Sequence, residues 1–245
     1  MNSDPYLSVV VPIYNESDSL DALHRELDAA IAGVPGGAEI LFVDDGSTDG
    51  GRERLRAIAE KDERVRVLSL DRNHGQSTAL DAGFRAARGE VTATLDADLQ
   101  NDPADLPRLL ALLDRADVVN GIRHRRRDAW FRKLGSRVAN GFRNRLTGES
   151  VTDVGCSLRV MRTSFLRRVK FHRGMHRFLP TLLRMEGARV IEVPVSHRPR
   201  RFGISKSGNL DRLAAGIVDV FAVRWMQSRN ETYRVDEWPR REPRA

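Results

Sequence analysis

The sequence predicts an α/β fold in which a doubly wound, mostly parallel sheet carries helices on both faces. Short apolar runs alternate with segments whose apolar residues recur at helical spacing. Three of the apolar runs end in segments that carry polar or acidic residues, at 12–16, 44–49 and 96–100. Because such sheets bind ligands at the carboxyl ends of their strands, these three segments are expected to form one site.

The predicted elements follow the order β-α-β-α-β-α-β through the first part of the chain. The first helix shows the pattern clearly, with Leu20, Leu23, Leu27 and Ile31 on one side. Pro194 marks an edge strand, because proline cannot donate a ladder hydrogen bond. Strands are predicted at Leu7–Ile13, 39–43, 65–70, 91–94, 117–121, within 151–161 and at Val190–Val195, and further helices at 52–60, 76–88, 103–114, 175–186 and 209–227.

The apolar run that begins at Val91 ends in Asp96, Asp98 and Gln100. If the backbone stays extended there, these alternating side chains point to one side. Two carboxylates on one side repel each other unless a cation lies between them, and Mg²⁺ or Mn²⁺ suits such oxygen ligands. The alternative is a turn whose acids cap the next helix. We expect that capping role for Asp102, which precedes a proline.

The second acidic segment, residues 44–49, leaves two interpretations open. Asp45 could accept hydrogen bonds from a ribose or from the edge of a base. Alternatively, the segment is a helix-entry turn held by side-chain to backbone hydrogen bonds. Neither G-x-G-x-x-G nor G-x-x-x-x-G-K-[ST] occurs in the chain, so the dinucleotide-binding and P-loop classes lose their main support.

Composition narrows the class of protein further. The 245 residues are enough for one large α/β domain with its own core. The single cysteine, Cys156, rules out a disulfide framework and suits a reducing compartment, and we expect it to pack rather than to act as a nucleophile. No run approaches the ~18 apolar residues that a membrane span requires. The formal charge of +7 favours anionic partners.

A basic region follows the fifth predicted strand. From Arg123 to Leu146 the chain carries nine Lys or Arg residues and one acid, Asp128. The apolar residues of this region fall near helical spacing, which predicts that residues 124–147 form a basic amphipathic helix on an anionic membrane surface. The alternative is a helix packed on the domain with a solvated basic face. Because no DNA- or RNA-binding motif is present, no nucleic-acid partner is expected.

The last third of the chain adds a second basic segment, 197–206. Its four Lys and Arg residues, together with glycine and serine, suit a loop that clamps phosphates, although an exposed basic loop would look the same. Asp153 and Arg159 are the charged residues of the otherwise mostly apolar segment 151–161. Residues 228–245 mix both charges with prolines and are expected to form a poorly ordered tail.

Four motifs together resemble the family-2 glycosyltransferases of the GT-A fold, most closely the dolichol- and polyprenyl-phosphate sugar transferases. The motifs are VVVPIYNE (9–16), VDDGSTD (43–49), DADLQ (96–100) and RRFGISK (200–206). The resemblance implies a site with three groups of residues. The metal ligands are Asp96, Asp98 and Gln100. The nucleotide-sugar contacts are Pro12, Tyr14, Glu16, Val43, Asp45 and Ala97, and the diphosphate or acceptor phosphate faces Arg123, Arg200 and Lys206.

The resemblance also implies an activity. It is the inverting transfer of a hexose from a nucleotide sugar, of the GDP-mannose or UDP-glucose type, to a polyprenyl or dolichyl phosphate. An alcohol acceptor would need a general base, for which Asp153 is the candidate, whereas a phosphate is already anionic. The residues assigned to catalysis are Asp98, Arg123, Asp153, Arg200 and Lys206.

Many relatives of this kind continue into transmembrane helices. We expect residues 1–227 to form one domain at the cytoplasmic face of a membrane, held there by interfacial helices or by a small membrane-protein partner. Three alternatives stay open: an enzyme with a saccharide or other hydroxyl acceptor, a nucleotidyltransferase, and a non-catalytic membrane-surface scaffold.

Overall fold

The computed structural model describes residues 4–123, 141, 143–149, 151–199 and 209–231, the side chains of 209–215 excepted. The strands in these residues are β1 (Leu7–Ile13), β2 (Ala38–Asp44), β3 (Val65–Ser69), β4 (Val91–Thr94), β5 (Val118–Arg123), β6 (Arg159–Arg162) and β7 (Val190–Val195). They form one sheet with the order β3-β2-β1-β4-β6-β5-β7. Only β6 runs antiparallel to its neighbours, so the predicted, mostly parallel sheet is confirmed.

Helices cover both faces of the sheet, as predicted. The α-helices are α1 (Leu20–Ile31), α2 (Gly51–Ala59), α3 (Gln76–Ala86), α4 (Leu106–Leu110), α5 (143–147), α6 (Thr163–Leu166), α7 (Leu179–Met185) and α8 (Asn209–Arg229). One buried apolar cluster includes residues of α1, α2 and α4, and a second includes residues of α3, α6, α7 and α8. Alternate residues of one strand contribute to both clusters: Val9 and Val11 belong to the first and Val10 to the second. Burial on both faces explains why this strand is apolar almost throughout.

The predicted helix over 103–114 is broken into three pieces. Short 3-10 helices at Pro103–Asp105 and Ala111–Asp114 flank α4. Pro107 lies in the first turn of α4, where its missing N–H is tolerated, and in a longer helix it would interrupt the ladder. The predicted cap is confirmed, because the side chain of Asp102 accepts a 3.0 Å hydrogen bond from the N–H of Ala104. Pro194 lies in β7, which is an edge strand of the sheet as expected.

Residues 124–140 of the basic region 124–147 lie outside the described residues. Its described end, α5, packs on the domain: Arg143 and Thr147 are each only 4 % exposed. The Arg143 guanidinium lies 5.0 Å from the ring centroid of Phe178 and donates to Thr181 Oγ1 at 3.1 Å. These contacts show that residues 143–147 pack on the domain, and the membrane interpretation of 124–147 stays a prediction. No helix in the described part of the chain is both long and apolar enough to cross a bilayer.

Candidate active site

The carboxyl ends of β2, β1 and β4 lie side by side at one edge of the sheet. Ile13, the last residue of β1, pairs with Asp44 of β2, and β1 pairs with β4 on its other side. The segments that follow these strands begin at Tyr14, Asp45 and Leu95. They therefore leave the sheet at the same edge. The predicted meeting of three polar strand ends is confirmed.

The chain does not stay extended after β4, so this part of the prediction is wrong. Residues 97–99 form a turn in which Leu99 has a φ of 58°. The turn buries Ala97 and Leu99, which are 3 % and 2 % exposed, in the first apolar cluster. Burial of these two apolar side chains explains why a non-glycine residue adopts this sparsely populated conformation. Asp96 and Asp98 nevertheless remain close enough for the charge of Asp98 to raise the pKa of Asp96.

Asp96 is fixed by groups from two other segments. The Gln76 side-chain amide donates to its Oδ1 at 2.8 Å, and the Asp96 N–H donates to Ser157 Oγ at 3.1 Å. Burial, and then the charge of Asp98, raise the pKa of Asp96 to about 6, although Ser157, Arg159 and Arg123 act in the opposite direction.

The donors on this turn fit a hard divalent cation. Asp96 and Asp98 supply carboxylate oxygens, and Gln100 adds a half-buried amide. Asp98 is 8 % exposed, and its Oδ1 accepts the N–H of Gln100 at 3.1 Å. Within the described ranges, no cluster of three His, Cys, Asp or Glu side chains could hold a metal. A cation at the acid pair would therefore complete its shell with an amide, water or substrate oxygens, as Mg²⁺ commonly does.

Arg123 and Asp153 form a bidentate ion pair at the end of β5. The guanidinium donates from Nε to Oδ2 at 2.7 Å and from Nη2 to Oδ1 at 2.8 Å. The N–H groups of Arg123 and Gly155 also donate to this carboxylate, both at 3.1 Å. Although burial raises the pKa of Asp153, these hydrogen bonds and the charge of Arg123 hold that pKa below its ordinary value. A carboxylate held in this way is a weak proton acceptor, and the general-base role that Asp153 would take with an alcohol acceptor stays a prediction.

Gly155 lies close to the guanidinium of this pair. A Cβ added there would lie 2.5 Å from Arg123 Nη2. A side chain at residue 155 would therefore require the Arg123 guanidinium to shift.

Arg159 places a buried cation near Asp96. It is 4 % exposed and donates to Asn120 Oδ1 and the Cys156 carbonyl, both at 2.7 Å, and to the His176 carbonyl at 3.1 Å. Cys156 is 1 % exposed, and burial raises the pKa of its thiol to about 11. A protonated, buried thiol fits the predicted packing role.

Asp44, the last residue of β2, and Asp45, which follows it, each accept hydrogen bonds from the backbone of a turn. Asp44 accepts the N–H of Ser47 at 2.9 Å, which is the predicted helix-entry turn, and pairs with Arg52 Nε at 2.8 Å. Asp45 is 3 % exposed and accepts the N–H groups of His74 and Gly75 at 2.7 and 2.8 Å. Asp45 thus holds the turn that leads into α3. Its contact with a nucleotide stays a prediction.

The other predicted nucleotide contacts divide into two groups. Pro12, Tyr14 and Glu16 are half-buried at or just beyond the end of β1. Val43 and Ala97 are 0 % and 3 % exposed, and their side chains belong to the core clusters. These two residues could therefore contact a ligand only through their main chains.

Three residues of the site were not predicted from the sequence to belong to it: Gln76, Ser77 and Ser157. Gln76 and Ser77 begin α3, where Gln76 bonds to Asp96 and Ser77 Oγ lies 2.8 Å from His176 Nδ1. Ser157 Oγ accepts from Asp96 N and from Asn101 Nδ2. For Gln76 and Ser77, the sequence holds one indication of a place in the site: they begin a predicted helix that directly follows a turn.

The basic loop begins beside the acidic turn. The N–H of Arg198 donates to the Gln100 carbonyl at 2.8 Å, and its guanidinium pairs with Glu26 at 2.7 Å and with Asp102 at 2.6 Å. The backbones of Asn101 and His197 form an isolated antiparallel bridge. Arg200 and Lys206, the predicted phosphate ligands of this loop, lie outside the described residues.

A mostly parallel sheet with acid-bearing loops at one edge is the arrangement of a GT-A-fold glycosyltransferase. The chain belongs to glycosyl transferase family 2, whose model matches residues 8–170. The undecaprenyl-phosphate 4-deoxy-4-formamido-L-arabinose transferase of Edwardsiella ictaluri is 43 % identical over 205 residues, which cover 83 % of this chain and 63 % of that protein. The dodecaprenyl-phosphate galacturonate synthase of Rhizobium johnstonii is 40 % identical over 223 residues, with 89 % and 66 % covered. The chain thus spans slightly less than two thirds of these relatives, and the predicted resemblance to polyprenyl-phosphate sugar transferases is confirmed.

Solved structures confirm the GT-A fold. Glucosyl-3-phosphoglycerate synthase from Mycobacterium tuberculosis, in complex with Mn²⁺, UDP and phosphoglyceric acid, matches with a TM-score of 0.66 at 20 % identity, covering 93 % of this chain and 80 % of that one. The mannosyltransferase PcManGT from Pyrobaculum calidifontis, in complex with GDP-Man and Mn²⁺, matches with a TM-score of 0.63 at 19 % identity, with 94 % and 66 % covered. At such identities the match establishes the fold alone.

Proposed function

We propose that this chain transfers a sugar from a nucleotide sugar to a polyprenyl phosphate. The observation that carries the proposal is the acid pair Asp96 and Asp98, placed at the ligand-binding edge of a family-2 fold. Two relatives, at 43 % and 40 % identity, are named for sugar transfer to undecaprenyl and dodecaprenyl phosphate. We include in the proposal a hexose donor of the GDP-mannose or UDP-glucose type. Two structures of the same fold contain UDP and GDP-Man, respectively, which supports a nucleoside diphosphate site.

Asp96 and Asp98, together with Gln100, would hold Mg²⁺ or Mn²⁺. The cation would stabilise the charge that grows on the diphosphate as the sugar departs. Gln76 fixes the orientation of the Asp96 carboxylate through their 2.8 Å hydrogen bond. Two structures of this fold contain Mn²⁺ together with a nucleotide or nucleotide sugar, which supports a divalent cation here.

Arg123 aligns the acceptor phosphate, and Asp153 holds Arg123 in place. A phosphate monoester has its second pKa near ~6, so it approaches as an anion and needs no strong base. A low pKa of Asp153 is compatible with this acceptor, whereas a hydroxyl acceptor would require a group able to take a proton. Attack on the sugar from the side opposite the diphosphate inverts the anomeric centre.

Arg200 and Lys206 would neutralise the departing diphosphate. Their support is the sequence motif together with the attachment of Arg198 to the Gln100 carbonyl, which starts the loop beside the acidic turn. We place the reaction at the cytoplasmic face of a membrane, since the acceptor is a lipid and the lone cysteine suits a reducing compartment. A small membrane-protein partner could supply further attachment and belongs to the same proposal.

A donor screen tests the proposal. Purified protein with Mn²⁺ is offered a panel of nucleotide sugars, including those of 4-deoxy-4-formamido-L-arabinose and galacturonic acid, with and without a short polyprenyl phosphate. We expect a lipid-linked sugar phosphate from at least one donor, formed only with the polyprenyl phosphate. Faster transfer to a saccharide would assign a hydroxyl acceptor instead. Release of pyrophosphate from a nucleoside triphosphate would indicate a nucleotidyltransferase, and calorimetry without donor binding would favour a scaffold.

A further inference from the structure

The large hydrophobic side chains that are exposed in the described residues all lie on α8. They are Ile217, Val218, Phe221 and Trp225, with exposed fractions of 43 %, 67 %, 55 % and 63 %. Their spacing places them within about 100° of the helix circumference. The other side of α8 packs on the domain, where Val220 and Val223 are 5 % and 0 % exposed. These four residues, termed the apolar stripe below, therefore form one continuous solvent-facing patch.

A groove of about 260 Å³ begins at the end of the apolar stripe, between α8 and residues that precede and belong to α7. Trp225 lines the groove and also belongs to the stripe. Its apolar wall continues through Met226, Leu182 and Met185. The groove and the stripe are thus two parts of one surface.

Cations surround this groove. Arg168, Lys170 and Arg229 line it and are exposed, against one acid, Glu186, so its side chains carry a net charge of +2 (three cations less one acid). In the described part of the chain, none of the three cations forms an ion pair with an acid. The Arg168 guanidinium stacks over the Phe165 ring at 5.3 Å, which holds it beside the groove. Among the described residues, the rim therefore carries a net positive charge that no ion pair of these three cations neutralises.

We propose that the apolar stripe and the groove dock this protein onto a bilayer that contains anionic phospholipids. The stripe enters the boundary between headgroups and acyl chains, and the groove holds one phosphate-bearing headgroup against Arg168, Lys170 and Arg229. A helix with an apolar side, a tryptophan at its edge and cations beside it is the pattern of interfacial helices. This inference rests on the proposed function in one respect: a lipid acceptor requires the enzyme to reach a membrane.

Vesicle co-sedimentation tests the surface with the full chain and without any donor. The vesicles are phosphatidylcholine, with or without phosphatidylglycerol. The stripe is changed by Val218→Ser/Trp225→Ser and the groove by Arg168→Gln/Lys170→Gln. The control, Arg56→Gln/Arg115→Gln, removes the same charge from exposed positions on or next to elements that pack on the other face of the sheet.

We expect the wild type to bind vesicles that contain phosphatidylglycerol. The groove variant should lose about 25-fold in partitioning to them, since each of its two removed cations contributes about five-fold near an anionic surface, and the control variant should lose less. The stripe variant should also lose binding to these vesicles. Each variant should keep the wild-type melting temperature and its transfer to a short, water-soluble polyprenyl phosphate.

Equal vesicle binding by the stripe variant and the wild type would overturn the proposal, as would equal losses in the groove and control variants. A concentration-dependent dimer that the stripe variant abolishes, without vesicle binding by the wild type, would assign the stripe to a second copy instead. Because docking is measured without substrates, vesicle binding without sugar transfer would refute the proposed function and leave the docking surface standing.

Discussion

Arg123 and Asp153 meet through two parallel hydrogen bonds of 2.7 and 2.8 Å at the end of β5. Both side chains are mostly buried, with 17 % and 8 % of their surfaces exposed. A carboxylate whose two oxygens are both held by a guanidinium is a weak proton acceptor. This pair therefore suits an acceptor that arrives already charged, as a phosphate does.

We expect Arg123→Lys and Asp153→Asn each to lower kcat/KM for the polyprenyl phosphate about 100-fold, because either change misplaces the guanidinium. The double variant should be no slower than the slower single variant, since both remove one aligned unit. Steady-state kinetics on the three variants and the wild type measure this. Losses that multiply to about 10⁴-fold would show that Asp153 acts independently of Arg123.

The raised pKa of Asp96, about 6, predicts how cation binding depends on pH. A cation needs the carboxylate, and a raised pKa means that this group binds a proton sooner as the pH falls. Apparent Mn²⁺ affinity should therefore be full above about pH 7 and approach a ten-fold loss per pH unit below about pH 6. Calorimetric titrations measure it, with Glu90→Gln, at the other end of β4, as the control. An affinity that stays constant through this range would remove Asp96 from the cation site.

Gln76 is expected to act through Asp96. Gln76→Met keeps the length of the side chain but removes the donor that lies 2.8 Å from Asp96 Oδ1. Loss of such a supporting hydrogen bond commonly weakens metal binding about 10-fold, and we expect that loss in a Mn²⁺ titration. Thr78→Val, two residues further along α3, is the matched control. Unchanged affinity in the Gln76 variant would show that the hydrogen bond has no part in cation binding.

Glu39 is expected to stabilise the fold through its charge. It is 5 % exposed and accepts from Ser8 Oγ at 2.7 Å, the Arg88 N–H at 2.8 Å and Arg66 Nη1 at 2.7 Å. Although burial raises its pKa, these hydrogen bonds hold the pKa of Glu39 below its ordinary value. Glu39→Gln should lower the free energy of unfolding by about 1–3 kcal/mol at neutral pH.

The pH dependence of that loss has a definite sign. A pKa that folding lowers gives stability that is full above the unfolded value, near ~4.3, and that is lost as the pH falls toward the folded value. The difference between wild type and Glu39→Gln in urea unfolding should therefore narrow in acid. Glu63→Gln, at an exposed position, should change stability by less than about 0.5 kcal/mol at either pH. A gap of constant size would mean that packing, not charge, explains the loss.

Most of the fold could be predicted because the buried faces of strands and helices leave a regular spacing of apolar residues in the sequence. Leu7–Ile13 is apolar almost throughout since both of its faces are covered, and the buried residues of α1 recur at helical spacing. The antiparallel insertion of β6 between β4 and β5 had no such signal. Its four residues form a strand only because two neighbouring strands supply partners, and pairing across about 40 to 70 residues is not encoded locally.

The sequence identified which residues belong to the candidate site better than it predicted their arrangement. Asp96 and Asp98 were identified by their spacing, but the turn that carries them depends on the burial of Ala97 and Leu99, which alternation alone does not reveal. The low pKa of Asp153 depends on a guanidinium 30 positions away. Such contacts arise from tertiary structure, so a motif can name the residue without showing which groups set its pKa.

Sugar transfer by the wild type and by Asp98→Ala, each measured with Mn²⁺ and again with EDTA, tests most directly whether a cation at the Asp96–Asp98 turn supports the reaction. We expect wild-type turnover to fall about 10²–10³-fold with EDTA and to recover when Mn²⁺ is restored, since the charge of the departing diphosphate would lose its stabilisation. Asp98→Ala should be as slow as the chelated wild type under both conditions, while its melting temperature stays close to that of the wild type. Turnover that persists under chelation, or wild-type rates in the Asp98 variant, would contradict the assignment.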